Sequence, residues 1–113
     1  MINNRDDCAK FLVGARNKAN GRPIAKNLRV FERENGDYAI RYHWTDIVTF
    51  HANGDITLRN GGHYTSSTKT NINSFSRVLV WQKDFSWYVT LNGRKLPFRD
   101  GMRIDPFTDR IVN

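Results

Sequence analysis

Cysteine is almost missing from this chain. Cys8 is the only one, so no internal disulfide exists, and a zinc site would need several histidines around one thiol. Long apolar runs are missing as well, and none approaches the roughly 20 residues of a membrane span. The opening stretch MINNRDDCAKF lacks the charged-then-apolar order of a secretory signal, which leaves a cytosolic protein as the expectation. Carboxylates are absent from Cys8 to Phe31 and again from Ile56 to Lys83. Catalytic signatures are missing too. There is no H-x-x-x-H or H-E-x-x-H pattern, no Walker-A spacing and no nucleophile elbow. The expectation is therefore a non-enzymatic protein with no catalytic residues, no metal and no cofactor.

What is present fits one folded domain spanning 1–113. The 113 residues are 39% hydrophobic and 12% aromatic, enough for a modest core. The net charge of +7 suggests a polyanionic partner: DNA, RNA, a nucleotide or an acidic protein surface. The same charge also serves solubility alone. No internal repeat or low-complexity segment interrupts the chain.

Five of the eight glycines follow an asparagine, and three of these pairs, at 35–36, 53–54 and 92–93, lie between alternating apolar runs. Asn-Gly there is a hairpin signal, because both residues tolerate positive φ. A three-residue loop at 52–54 pairs Phe50 with Ile56 and Val48 with Leu58 on one face. It leaves Thr49–Thr57, His51–Asp55 and Ile47–Arg59 on the other. The same logic at 34–36 pairs Val30 with Ile40 and Leu28 with Tyr42. At 92–93 a two-residue turn sets Val89 against Leu96 and Trp87 against Phe98. Val78–Trp81 forms a further strand turning near Lys83-Asp84, and Met102–Ile104 a short last one.

Cys8, Phe11, Leu12 and Ala15 recur at helical spacing. They predict a helix over 5–16, capped by Asn4 or Asp6. Residues 17–22 read as a loop turning at Asn20–Pro23. Ser67 reads as the N-cap of a short helix over 67–75. The fold class is thus α+β: an N-terminal helix and a twisted, mostly antiparallel meander of six or seven strands (28–60 and 77–104). A short helix is inserted midway, and the sheet has room to close partly into a barrel.

The run Thr45-Asp46-Ile47-Val48-Thr49-Phe50-His51-Ala52-Asn53-Gly54, then Gly61-Gly62, Thr65, Thr68-Lys69 and Ile72-Asn73, resembles a family of small proteins found mostly in bacteriophage genomes. That family carries T-D-[IV]-[VL]-T-[FY]-x-x-[DN]-G followed by G-G-[WY]-x-T-x-x-T-K-x-x-[IL]-N. The resemblance covers about residues 38–104, with Pro97–Met102 included. It departs at His63, where an aromatic is usual and Tyr64 stands next to it. The resemblance implies a phage origin, the cytoplasm of the infected bacterial host and an accessory role; it carries over no functional residue.

Three constellations bear on function. Arg16, Lys18, Arg22, Lys26, Arg59 and Lys69 sit in the acid-free stretches and suit phosphate contacts. Ser67, Thr68 and Lys69 at a helix N-terminus suit an anion nest, though the same hydroxyls serve as caps. Aromatics such as Trp81 and Tyr88 alternate against inward neighbours. On a basic sheet they would stack bases of single-stranded nucleic acid, or else fill a two-sided core. The leading expectation is a nucleic-acid binder with little sequence preference. An inhibitor of a host defence system, docking on a defence protein or holding a nucleotide as anti-CRISPR proteins do, is the alternative. A small phosphodiesterase using His51 and Asp46 is a third.

Overall fold

Asn4 starts the first helix, α1 (Arg5–Leu12), by accepting from the Asp7 N–H at 2.8 Å. Asp6 and Asp7 lie in its first turn, where the helix dipole favours negative charge. Cys8 and Leu12 point inward and are fully buried. The helix ends four residues earlier than its periodicity predicts. Val13 and Gly14 follow it, and Arg22 Nη1 donates to the Phe11 carbonyl at 2.8 Å, supplying a partner to the last turn. The computed structural model describes residues 2–15 and 20–112.

The expected loop before Pro23 is in part a strand, β1 (Arg22–Ala25). It turns at Asn27, with φ of 63°, into β2 (Leu28–Glu32). As an edge strand β1 tolerates Pro23, whose missing N–H faces away from the ladder. A helical turn at Glu34–Gly36 joins β2 to β3 (Tyr38–Tyr42), in the register expected: Val30 opposite Ile40 and Leu28 opposite Tyr42. A tight turn at His43-Trp44 leads to β4 (Thr45–Phe50), and the Asn53-Gly54 loop to β5 (Ile56–Leu58). There, too, Phe50 faces Ile56 and Val48 faces Leu58.

Ile47 departs from the expected alternation. The register between β3 and β4 slips by one residue between Ile40 and Arg41, which leaves Ile47 as the extra residue of a β-bulge. Ile47 is therefore buried beside Val48 and does not share the outer face with Arg59, although the Arg59 N–H still donates to the Ile47 carbonyl at 3.0 Å.

The second helix, α2 (Ser66–Ser76), begins one residue before the predicted start, and its N-cap is Thr65 and not Ser67. Thr65 Oγ1 accepts from the Thr68 N–H at 3.3 Å, so Ser67 falls inside the first turn. Then come β6 (Leu79–Lys83), β7 (Ser86–Leu91) and β8 (Arg94–Pro97), joined by tight turns at Asp84-Phe85 and Asn92-Gly93. Val89 meets Leu96 as expected. The chain ends with β9 (Met102–Asp105) and the two-residue β10 (Arg110–Ile111), the second of which the sequence pattern did not signal.

The strands form two antiparallel sheets, one in the order β1-β2-β3-β4-β5-β9-β10 and one in the order β6-β7-β8. Neither closes on itself, so the anticipated partial barrel is replaced by two open layers. α1 packs on β2 and β3, and α2 packs between β3–β4 and β6. One buried cluster unites Ile40, Val48, Leu58 and Ile104 of the large sheet, Cys8, Leu12 and Ile72 of the helices, and Val80, Trp87 and Val89 of the small sheet. Each aliphatic side chain removed from water there contributes about 1.5–3 kcal/mol. The outer faces of both sheets lie outside this core.

Candidate nucleic-acid interface

Period-two alternation decides what the small sheet presents outward. Val80, Trp87, Val89 and Leu91 go to the core, so Leu79, Trp81, Lys83, Ser86, Tyr88, Thr90, Lys95 and Pro97 occupy the other face. Two of these eight are lysines and none is a carboxylate. Trp81 lies opposite Tyr88, their ring centroids 4.9 Å apart and their planes tilted by 31°. Trp81 Nε1 donates to Thr90 Oγ1 at 2.9 Å, which fixes the orientation of the indole. Lys95 Nζ sits 4.3 Å from the Tyr88 centroid and 5.7 Å from that of Trp81. Such a cation–π contact at a surface stabilises by about 0.5–1 kcal/mol, little enough for the ammonium to exchange a ring for a phosphate.

At the tip of this hairpin, Asp84 and Phe85 both hold positive φ, 52° and 66°. That conformation matches the twist of a two-residue hairpin but costs a residue with a Cβ about 1–2 kcal/mol. Phe85 is nevertheless 97% exposed, so no burial of its ring offsets the strain. The hairpin that carries the Trp81–Tyr88 pair thus ends in an exposed aromatic ring, two residues beyond Lys83.

The residues expected to contact phosphate are dispersed. Arg22 is committed to α1: besides bonding the Phe11 carbonyl, its guanidinium lies 4.7 Å from the Phe11 ring. Lys26 is exposed at the β1–β2 turn and Arg59 is exposed just after β5. Four strand spacings separate them, about 19 Å. Thr68 is buried, and Ser67 Oγ accepts from Tyr42 Oη at 3.1 Å. Lys69 leaves the nest altogether, donating to Gln82 Oε1 at 3.0 Å and lying 5.6 Å from the Trp87 ring. Arg16 and Lys18 lie outside the described residues.

The register does sort charge along the strands. One end of the molecule carries the β2–β3, β4–β5 and β9–β10 tips and the start of α1, which Arg5 ties to the Gly36 carbonyl at 2.7 Å. Asp6, Asp7, Glu32, Glu34, Asp37, Asp55, Asp105 and Asp109 gather there, eight of the eleven acids, alongside Arg5, Arg33, Arg94, Arg103 and Arg110. Lys26, Arg59, Lys69, Lys83 and Arg99 stand toward the opposite end, with Asp84 and Asp100.

His51 and Asp46, paired in the phosphodiesterase expectation, have separate partners. His51 Nδ1 is 2.9 Å from Asp37 Oδ2, and its Nε2 is 2.7 Å from Thr57 Oγ1. Asp46 binds Arg33 and Arg41 near the other end of β4. Among the described residues no group of three or more His, Cys, Asp or Glu is placed to hold a metal ion. No helix among them is long and apolar enough to cross a membrane.

Lys95 escaped the sequence reading as a partner of the aromatic pair. The signal was available in the 92–93 turn, whose two-residue form places Lys95 opposite Thr90, on the face of Tyr88.

The family model described as Kyanoviridae Gp96 protein matches residues 10–105. This span contains both motif stretches, 45–54 and 61–73, and reaches back into α1. No curated protein and no solved structure matches the chain.

Proposed function

We propose that this chain, which belongs to the Kyanoviridae Gp96 family of cyanophage proteins of unknown function, binds single-stranded nucleic acid on the outer face of its three-stranded sheet. The observation that carries the reading is the half-buried Trp81–Tyr88 pair, flanked by Lys83 and Lys95 on a face without carboxylates. Bases stack on aromatic faces whatever their sequence, and lysines neutralise the phosphates between them. The protein acts as a non-enzymatic accessory factor in the infected host's cytoplasm and coats or holds exposed strands with little sequence preference.

Fluorescence anisotropy with labelled oligothymidylate and the matching RNA, at two salt concentrations, tests this. Two phosphate contacts predict a slope of log K against log salt of about −1.4, steeper if the basic end also engages. Absence of binding to both strands at low salt removes the reading. If a nuclease-treated host lysate then yields a stable protein partner, inhibition of a host factor replaces it.

A further inference from the structure

A pocket of about 360 Å³ opens between the His43-Trp44 turn, the loop at Asn60–His63 and the start of α2. It lies among the family's two motif stretches and shares no residue with the aromatic face. Thr45, Asn60, His63, Thr65 and Ser67 are among its lining residues, and none of the lining residues is acidic. α2 is 11 residues long with no acid in its first turn. Its cap uses Thr65 Oγ1 on the Thr68 N–H. The N–H groups of Ser66 and Ser67 precede the first intrahelical bond that either could make.

Asn60 adds an independent observation at the same pocket. The residue is 1% exposed, yet it lines the pocket. Its Oδ1 accepts from the Gly62 N–H at 2.9 Å, and its own N–H donates to Asp100 Oδ1 at 2.9 Å. That orientation leaves Nδ2 with no partner. An unpaired buried amide donor costs about 1–3 kcal/mol, so an acceptor that reaches it from the pocket recovers that cost. At the rim, Trp44 is 90% exposed on a turn whose preceding residue, His43, holds φ of 54°.

The geometry points to a site for a free nucleoside monophosphate. The phosphate accepts from the start of α2, from Ser67 and from Asn60 Nδ2, and the base stacks on Trp44. A helix N-terminus favours an anion through its orphan donors and its dipole. Asp100, the nearest carboxylate bonded to the loop, is held by the Asn60 and Gly61 N–H groups at 2.9 and 3.3 Å. The inference does not rest on the strand-binding reading, and its variants lie elsewhere.

The test uses the full chain labelled with 15N, titrated with inorganic phosphate and with AMP. Phosphate at about 10 mM, enough for a millimolar site, should shift the amides of Ser66, Ser67 and Thr68 and the Asn60 side-chain amide. AMP should bind about tenfold more tightly, within the lower half of the range for one base–aromatic stack. Trp44→Ala should erase that tenfold gain and leave phosphate binding intact. Ser67→Glu, which suits a helix first turn and so keeps the fold, should abolish both. Shifts scattered over surface lysines, no shifts at all, or AMP binding unchanged in Ser67→Glu would each overturn the proposal. Oligonucleotide binding by Ser67→Glu, measured alongside, keeps this outcome separate from the fate of the aromatic face.

Discussion

Arg33 grips the Asp46 carboxylate with two nitrogens, Nε to Oδ2 at 3.0 Å and Nη2 to Oδ1 at 2.9 Å, while Arg41 Nε adds a third bond at 3.1 Å. Both guanidiniums also lie over the Phe31 ring, at 4.5 and 4.9 Å. Arg33 and Arg41 are therefore engaged with a shared acid and with an aromatic ring. That distinguishes them from the lysines of the small sheet. Asp46→Ala should destabilise the fold by about 1 kcal/mol, because the groups are partly solvated and bidentate geometry only moderately raises the value of such pairs. Urea unfolding would measure this. The same variant should bind polyanions more tightly, since two guanidiniums lose their internal carboxylate.

On the aromatic face, Trp81→Ala and Tyr88→Ala should each weaken oligonucleotide binding by about 5- to 150-fold, the range for one base stack. Lys95→Glu should weaken it by about tenfold or more, and flatten its salt dependence. Lys10→Glu, an exposed change of equal charge on α1, is the control and should have less than about a third of that effect. Anisotropy titrations at fixed salt decide between a local platform and a diffuse charge effect; equal losses for the two lysine variants would favour the latter.

Cys8 offers a pH prediction with a definite sign. Burial, helped by the nearby Asp7, pushes its thiol from 9.0 up to about 12. The native state therefore keeps the proton where the unfolded chain gives it up. The associated stability is intact below pH 9 and drains away as the pH climbs from 9 toward 12. Tyr38, raised chiefly by burial and then by Glu32, adds loss of the same sign above 10. Thermal melts across that interval should show a falling midpoint, and Cys8→Ala should flatten the fall. Native protein at pH 8 should also resist thiol reagents that react fully after unfolding.

Gly61 and Gly62 look interchangeable in sequence but not in space. Both hold positive φ, 62° and 83°. A Cβ on Gly61 would meet Thr45 Oγ1 at 2.5 Å, whereas one on Gly62 meets nothing within 4 Å. Gly62→Ala should cost only the conformational strain, about 1 kcal/mol. Gly61→Ala should cost about 2–3 kcal/mol, because Thr45 must also move. Denaturant midpoints would rank them.

Hairpin registers were legible from the chain because two constraints agree at each Asn-Gly: the turn type fixes the offset, and period two forbids a slip. Where only one constraint operated, the reading failed. Nothing local announces the bulge at Ile47, since two adjacent apolar residues read the same in a regular strand. Nor does β1 carry an alternation of its own; it is a strand because β2 offers an edge. The fates of Arg22 and Lys69 were similarly hidden, as the Phe11 carbonyl and Gln82 come close only after folding. Trp81 and Tyr88 were visible as out-of-phase aromatics, but the ammonium above them belongs to a third strand.

Carboxylates outnumber the arginines beside them at one extremity while cations outnumber acids at the other, which gives the molecule an electric moment running along the strands of its large sheet. A polyanion would exert a torque on it before any contact forms, turning the hairpin tip with Phe85 and Lys83 forward. Encounters would then begin mostly in one orientation, and their frequency would fall with added electrolyte faster than a uniformly positive sphere of equal charge would show.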